Sequence, residues 1–311
     1  MSSVQVMTHI AVERLSAVRA AHPDVELVDV PQQGEPDPGV SGEVLLTLAW
    51  GSPNLDRLVA RGVRWVHAVG TGVDRFPFDL LGARLLTCSR GASAIPISEW
   101  VLAMMLAAAK QLPESWIHEP PARWNQARLG RLHGRTLALL GVGGIGTAVA
   151  ARALAFGMRV RGLRRTSQRA PFPGLQLVGS LEELLADADH LVIAAPATPE
   201  TRHLIGRDAL ARVKRGVHLV NVSRGALVDL DALREALDSG IVSRASLDTV
   251  DPEPLPADHW AYRHPGVRLS PHISWSMEGA FDLLVATFVE NLGRFRAGEP
   301  LEGLVDPVAG Y

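Results

Sequence analysis

Apolar runs without polar alternation recur along the chain, each closed by a turn and followed by a stretch of helical spacing. A run of that kind fits a strand buried on both faces of a parallel sheet. In the first part of the chain strands are predicted at Val4 to Met7, Val25 to Val30, Val44 to Ala49 and Val63 to Val69, with Arg84 to Cys88 as a further candidate. Between them, Ile10 to Ala20 carries apolar residues at 10, 12, 15 and 18 and predicts a helix. Ser52 and Pro53 predict an N-cap and a first-turn proline for a helix reaching about Ala60. The stretch from Pro31 to Gly42 is dense in proline and glycine and reads as a surface loop.

Beyond it, a long helix is predicted from about Pro96, including the wholly apolar run Trp100 to Ala109. That run is too short to span a bilayer, so it predicts a buried helix. The segment 112–125 holds prolines and tryptophans and connects to residues 136–165, on which the chain is centred. There Thr136 to Leu140 predicts a strand, an Ala-rich stretch to Gly157 a helix, and Met158 to Leu163 a second strand. Alternation continues with helix 181–187, strand 190–195, helix 207–213, strand 217–222, helix 231–238, strand 244–248, a short strand at Val267 to Leu269 and a final helix from about Met277 to Ala297. Strand and helix alternating throughout predict an α/β protein with parallel sheets.

The glycines of G-V-G-G-I-G, Gly141 to Gly146, stand between the central strand and its helix. In a dinucleotide site the first glycine makes the tight turn, the second admits a pyrophosphate and the third permits close helix–strand packing, with the phosphates on the helix N-terminus. Gly141, Gly143, Gly144, Ile145 and Gly146 are therefore predicted to bind the cofactor. After the second strand an NAD site usually carries Asp or Glu for the ribose hydroxyl. This chain has Arg164 and Arg165 followed by Thr166 and Ser167, which suit a 2′-phosphate. NADP(H) is the predicted cofactor, in preference to NAD(H).

The length of 311 residues suits two domains. With 47% apolar and 21% charged residues and a net charge of −2, the composition is that of an ordinary soluble protein and implies no nucleic-acid or membrane partner. Lysine occurs only at 110 and 214, so the positive charge is almost wholly arginine. One cysteine, Cys88, excludes an intramolecular disulfide and a cysteine-based zinc site, and fits a reducing cytoplasm. No basic stretch followed by an apolar run opens the chain, so no signal peptide is expected. His259 and His264 lack a regular ligand spacing, and no metal is inferred.

In open parallel sheets ligands gather at the carboxyl ends of the strands. Three polar residues follow late strands there: Arg224, Glu253 and His272, 29 and then 19 residues apart. Together they match what reduction of a 2-oxo acid needs. Arginine holds the anionic substrate, histidine donates a proton as hydride arrives, and a carboxylate orients the imidazole and favours its charged form. A rival on the same fold is a protein that only senses the dinucleotide, which has no need of a proton donor.

From about Val63 to Tyr311 the order of motifs resembles the D-isomer-specific 2-hydroxyacid dehydrogenases. The motifs are G-T-G-V-D, I-S-E-W-V-L-A, G-V-G-G-I-G, A-P-A-T-P-E-T, N-V-S-R-G-A-L-V-D, L-D-T-V-D-P-E-P-L-P, S-P-H and G-E-P-L-E-G-L-V-D-P. The resemblance implies that Arg224, Glu253 and His272 are catalytic. It also implies that the backbone of Thr71, Gly72 and Val73 binds the substrate carboxylate, with Trp275 facing the substrate. Asp248 would contact the nicotinamide carboxamide, and Pro196 and Val222 would line the cofactor. Implied too are a discontinuous flavodoxin-like substrate domain, residues 1–97 with 276–311, and a Rossmann-type cofactor domain, residues 98–275, with the active site in a cleft between them. The expected reaction is NADPH-dependent reduction of a small 2-oxo acid such as glyoxylate or hydroxypyruvate to the D-2-hydroxy acid. The expected assembly is a homodimer through the cofactor domain, with 112–125 as an arm.

Two departures stand out. Ser98-Glu99-Trp100 replaces the Ala-Glu-His of many members, and Arg164 with Arg165 replaces an acidic residue, as in NADPH-dependent glyoxylate and hydroxypyruvate reductases. Glu253, where related formate dehydrogenases have glutamine, argues against that activity.

Overall fold

The computed structural model describes residues 4–125, 128–165 and 169–311. The chain divides into two compact units, one of Met1–Ser93 with Met277–Tyr311 and the other of Ala94–Ser276.

In the first unit, β1 (Gln5–Thr8), β2 (Glu26–Asp29), β3 (Val44–Leu48), β4 (Trp65–Val69) and β5 (Leu85–Cys88) form a parallel sheet of order β2-β1-β3-β4-β5. This is the flavodoxin-like order. Its helices are α1 (Ser16–Ala21), α2 (Leu55–Val59) and, from the far end of the chain, α8 (Ala280–Ala297). Phe288 of α8 stacks on the buried Trp65 of β4 with ring centres 5.3 Å apart, which ties the C-terminal helix to this sheet.

The second unit contains α3 (Ala94–Lys110), β6 (Thr136–Leu140), α4 (Gly144–Ala155), β7 (Arg159–Leu163), β8 (Leu175–Leu177), α5 (Leu181–Leu185), β9 (His190–Ile193), α6 (Arg207–Leu210), β10 (Val217–Asn221), α7 (Leu230–Asp238), β11 (Val242–Leu247) and β12 (Val267–Leu269). Its parallel sheet has the order β12-β11-β10-β9-β6-β7-β8. The chain leaves β6 toward β7 and β8, then returns to the other side of β6 through β9. That reversal makes the carboxyl ends of β6 and β9 the topological switch point, where ligands bind in open α/β sheets. One apolar cluster packs α5 to α7 on the sheet, and another packs α3 and α4 on it.

Several local expectations are corrected. The helix read over Ile10 to Ala20 is broken at Leu15, into a 3-10 turn at Val12–Arg14 and α1. Ser52 does not cap α2. Asn54 stands at that position, with its amide donating to the carbonyls of Pro31 and Gly34 at 2.9 and 3.0 Å, while the Ser52 hydroxyl donates to the Asn54 side chain. The polar side chain is thus spent on holding the Pro-rich loop. Strand β8 was not anticipated. The final helix starts at Ala280, because Gly279 before it takes φ +72°.

Candidate active site

At the switch point, each glycine after β6 meets a different neighbourhood. Gly141 takes φ +99°, and a Cβ there would fall 2.5 Å from the Ala195 nitrogen and 2.6 Å from the Ala194 carbonyl carbon. A Cβ on Gly146 would lie 2.2 Å from the Gly141 carbonyl oxygen, so the first turn of α4 sits directly on the strand end. Gly143, the N-cap of α4, faces open space within 4 Å of its missing Cβ. Gly143 and Gly144 are exposed and Ile145 is half-buried. With no side chain to cap them, the first N–H groups of a twelve-residue helix remain for an anion. This cradle fits the pyrophosphate of a dinucleotide.

Arg164 and Arg165 follow β7, the first half-buried and the second exposed. Thr166 lies outside the described residues. Glu200 lies within electrostatic reach of Arg165: it is held below the ordinary carboxylate value chiefly by the Thr198 hydroxyl and in small part by Arg165. Pro196, after β9, is exposed, and its carbonyl accepts from the Thr201 hydroxyl at 2.9 Å. Val222 is buried in the α3–α4 cluster, so its side chain supports the end of β10 rather than presenting a surface.

The polar residues after β10 and β11 sit on loops that press together. Arg224 follows β10 in a turn shaped by buried Asn221, whose amide donates to the Arg224 carbonyl at 2.9 Å and whose oxygen accepts from Ser223 N–H at 3.1 Å. A Cβ on the next residue, Gly225, would fall 1.8 Å from the carbonyl carbon of Val250. Only glycine lets the Arg224 turn lie this close to the loop that carries Glu253. One oxygen of Glu253 accepts the Val250 N–H at 3.1 Å, and the other meets His272 Nδ1 at 3.0 Å. The imidazole therefore has one nitrogen engaged by the carboxylate and presents Nε2 away from it.

His272 itself sits at φ +55°, in the left-handed region, at a cost of about 1–3 kcal/mol for a non-glycine residue. Asp248 offsets this. Its carboxylate accepts the N–H of Ile273 at 2.9 Å, the N–H of Ser274 at 3.0 Å and the Ser270 hydroxyl. Its carbonyl accepts the His272 N–H at 3.0 Å. Trp275 is partly exposed, and its indole N–H donates to the His272 carbonyl at 2.9 Å.

Gly70 to Asp74 belong to the other unit. Gly70 takes φ +150°, with the Ala49 Cβ 2.7 Å from where its own would stand. Val73 is buried in that unit's core, whereas Thr71 and Gly72 are half-buried. Among the described residues, the N–H groups of Thr71, Gly72 and Val73 donate to no carbonyl or side chain. Successive N–H groups are the donors from which anion-binding concavities are made.

Sequence reasoning missed Gly225, Asn221 and Ser270. Asn221 had a signal, a polar residue ending a largely apolar strand, but Gly225 acquires its role only from a peptide 25 residues away. Among the described residues no group of three or more His, Cys, Asp or Glu could hold a metal ion, and no helix is long and apolar enough to cross a membrane.

A sheet in dinucleotide-binding order, a glycine cradle at its switch point and a Glu–His pair beside an arginine turn define a dinucleotide-binding α/β protein. A family model described as the D-isomer specific 2-hydroxyacid dehydrogenase NAD binding domain matches residues 102–274. Glyoxylate/hydroxypyruvate reductase B of Pectobacterium carotovorum is 36% identical over 255 residues, 79% of each chain. D-3-phosphoglycerate dehydrogenase of Methanocaldococcus jannaschii is 32% identical over 253 residues, 79% of this chain and 48% of that protein. This chain thus spans about half the length of the phosphoglycerate dehydrogenases it matches. Among solved structures, a D-isomer specific 2-hydroxyacid dehydrogenase from Xanthobacter autotrophicus Py2, in complex with NADPH and MES, superposes with a TM-score of 0.85 at 28% identity, covering 100% of both chains. The chain belongs to the D-isomer specific 2-hydroxyacid dehydrogenase family.

Proposed function

We propose that the protein reduces a small 2-oxo acid to the D-2-hydroxy acid with NADPH. The observation that carries this reading is the 3.0 Å contact between His272 Nδ1 and Glu253, on a loop packed against the Arg224 turn. When bound, the cofactor supplies the hydride. Glu253 fixes the imidazole through Nδ1, so Nε2 is the nitrogen that delivers a proton to the carbonyl oxygen as that oxygen gains charge. Arg224 binds the anionic substrate and polarises its carbonyl. The N–H groups of Thr71, Gly72 and Val73 take the carboxylate, which makes the unit of Met1–Ser93 and Met277–Tyr311 the substrate domain and Ala94–Ser276 the cofactor domain.

The preference for NADP(H) over NAD(H) rests on Arg164 and Arg165 at the end of β7, and the NADPH held by the Xanthobacter relative supports it. Glyoxylate and hydroxypyruvate are the favoured substrates, on the likeness to the Pectobacterium reductase. A homodimer through the cofactor domain is supported by Trp116, Ile117 and Trp124, which lie exposed on the segment 112–125. A cytoplasmic location suits the single, buried thiol of Cys88.

The test is absorbance of reduced nicotinamide with glyoxylate, hydroxypyruvate, pyruvate and bulkier 2-oxo acids, with each cofactor. Consumption of NADPH by a small 2-oxo acid is expected. Tight NADPH binding with no consumption by any acid would make the protein a dinucleotide sensor instead.

A further inference from the structure

The left-handed backbone of His272, at φ +55°, persists only if its surroundings over-determine it. Asp248, which is 1% exposed and fixed in the core, takes the His272 N–H on the amino side and the N–H groups of Ile273 and Ser274 on the carbonyl side. The His272 carbonyl oxygen itself is held by a different residue, through the 2.9 Å bond from Trp275 Nε1–H. Tryptophan has one donor and no acceptor on its ring. With that donor given to the His272 carbonyl, the indole has none left for a substrate oxygen.

We propose that Trp275 is a positioning residue: its indole N–H holds the His272 carbonyl and so keeps the imidazole on Glu253 for proton transfer. This rests on the reading of His272 as proton donor. Loss of the bond leaves the turn held by Asp248 alone, and φ relaxes toward negative values. That relaxation swings the Cα–Cβ bond and takes Nδ1 out of contact with Glu253. The role differs from the substrate-facing one implied by family resemblance.

Trp275→Phe and Trp275→Ala separate the two roles, since phenylalanine keeps an aromatic surface and loses the donor. If the bond matters, both variants lower kcat alike, by about 2- to 10-fold, the usual worth of one hydrogen bond. The KM values for 2-oxo acid and NADPH then stay within about twofold of wild type. Wild-type kcat in the Phe variant, with a raised substrate KM in the Ala variant, would overturn the proposal. A second readout needs no turnover: the His272 ring C–H resonance, assigned with His272→Ala. It should move equally in both Trp275 variants; an unmoved resonance would overturn the clamp. A moved resonance in a protein whose wild type reduces no 2-oxo acid would leave the clamp standing and remove the proton-donor reading. If the variants fail to fold, exchange of the Trp275 indole N–H in the wild-type protein decides. Slow exchange is expected, and exchange at the rate of a free indole would overturn the proposal.

Discussion

Glu253 and His272, 19 residues apart in the chain, meet at 3.0 Å because a rigid sheet delivers both loops to one edge. The glutamate has its other oxygen on the Val250 N–H, and the histidine turn hangs on Asp248 after β11. Each loop thus has a hold of its own besides the contact between the two side chains. The pair is preorganised, which lets a hydrogen bond orient a proton donor without reordering during the reaction.

The closeness of the Arg224 turn to the Glu253 loop gives the first prediction. Gly225→Ala puts a Cβ 1.8 Å from the Val250 carbonyl carbon, and backbone must move to admit it. Over-packing of this kind costs about 1–3 kcal/mol. The variant should melt several degrees lower and lose turnover while still binding NADPH, as measured by calorimetry and steady-state kinetics. Wild-type kcat would show that the two loops need not pack so tightly.

Arg164 and Arg165 supply the second. Hydrogen bonds to charged groups are worth about 1.5–3 kcal/mol. Replacing both arginines by alanine should therefore raise KM for NADPH by about 10- to 100-fold and leave KM for NADH little changed. Equal effects on the two cofactors would refute the phosphate assignment, and the neighbouring Glu200 would then be the residue to question.

Buried histidines make stability depend on pH. Burial pushes His9 and His190 from the ordinary 6.5 down to about 4, and His67 down to about 3. His218, wedged between His190 Nδ1 at 3.1 Å and the Ser246 hydroxyl at 3.0 Å, is lowered as well. All four are neutral in the fold at pH 5, whereas in the unfolded chain they are protonated. The unfolded state then binds more protons, so stability is complete above about pH 6.5 and falls as pH drops toward 4. One such group is worth about 2 kcal/mol between pH 7 and pH 5. Guanidinium midpoints measured at those two pH values should show a clear loss at the lower one; equal midpoints would mean that these imidazoles are not held neutral.

Much of this architecture was legible in the sequence because buried parallel strands are written as unbroken apolar runs, as at Val44 to Leu46 and Leu137 to Leu140. Strand β8 was not, since Leu-Gln-Leu is too short to set a period. The break at Leu15 was hidden because its apolar spacing suits one helix as well as two short turns. At the site, residue types after strands pointed to Arg224, Glu253 and His272. Which atoms meet was not readable: the left-handed turn at His272, the direction of Trp275 and the contact of Gly225 with Val250 are set by loops folding on one another, not by local pattern.

The central claim is that His272 supplies the proton. Turnover of His272→Ala at saturating NADPH and 2-oxo acid, alongside calorimetric NADPH binding, tests it most directly. A fall in kcat of about 10²- to 10⁴-fold with cofactor affinity unchanged is expected. Near-full turnover with intact NADPH binding would contradict it.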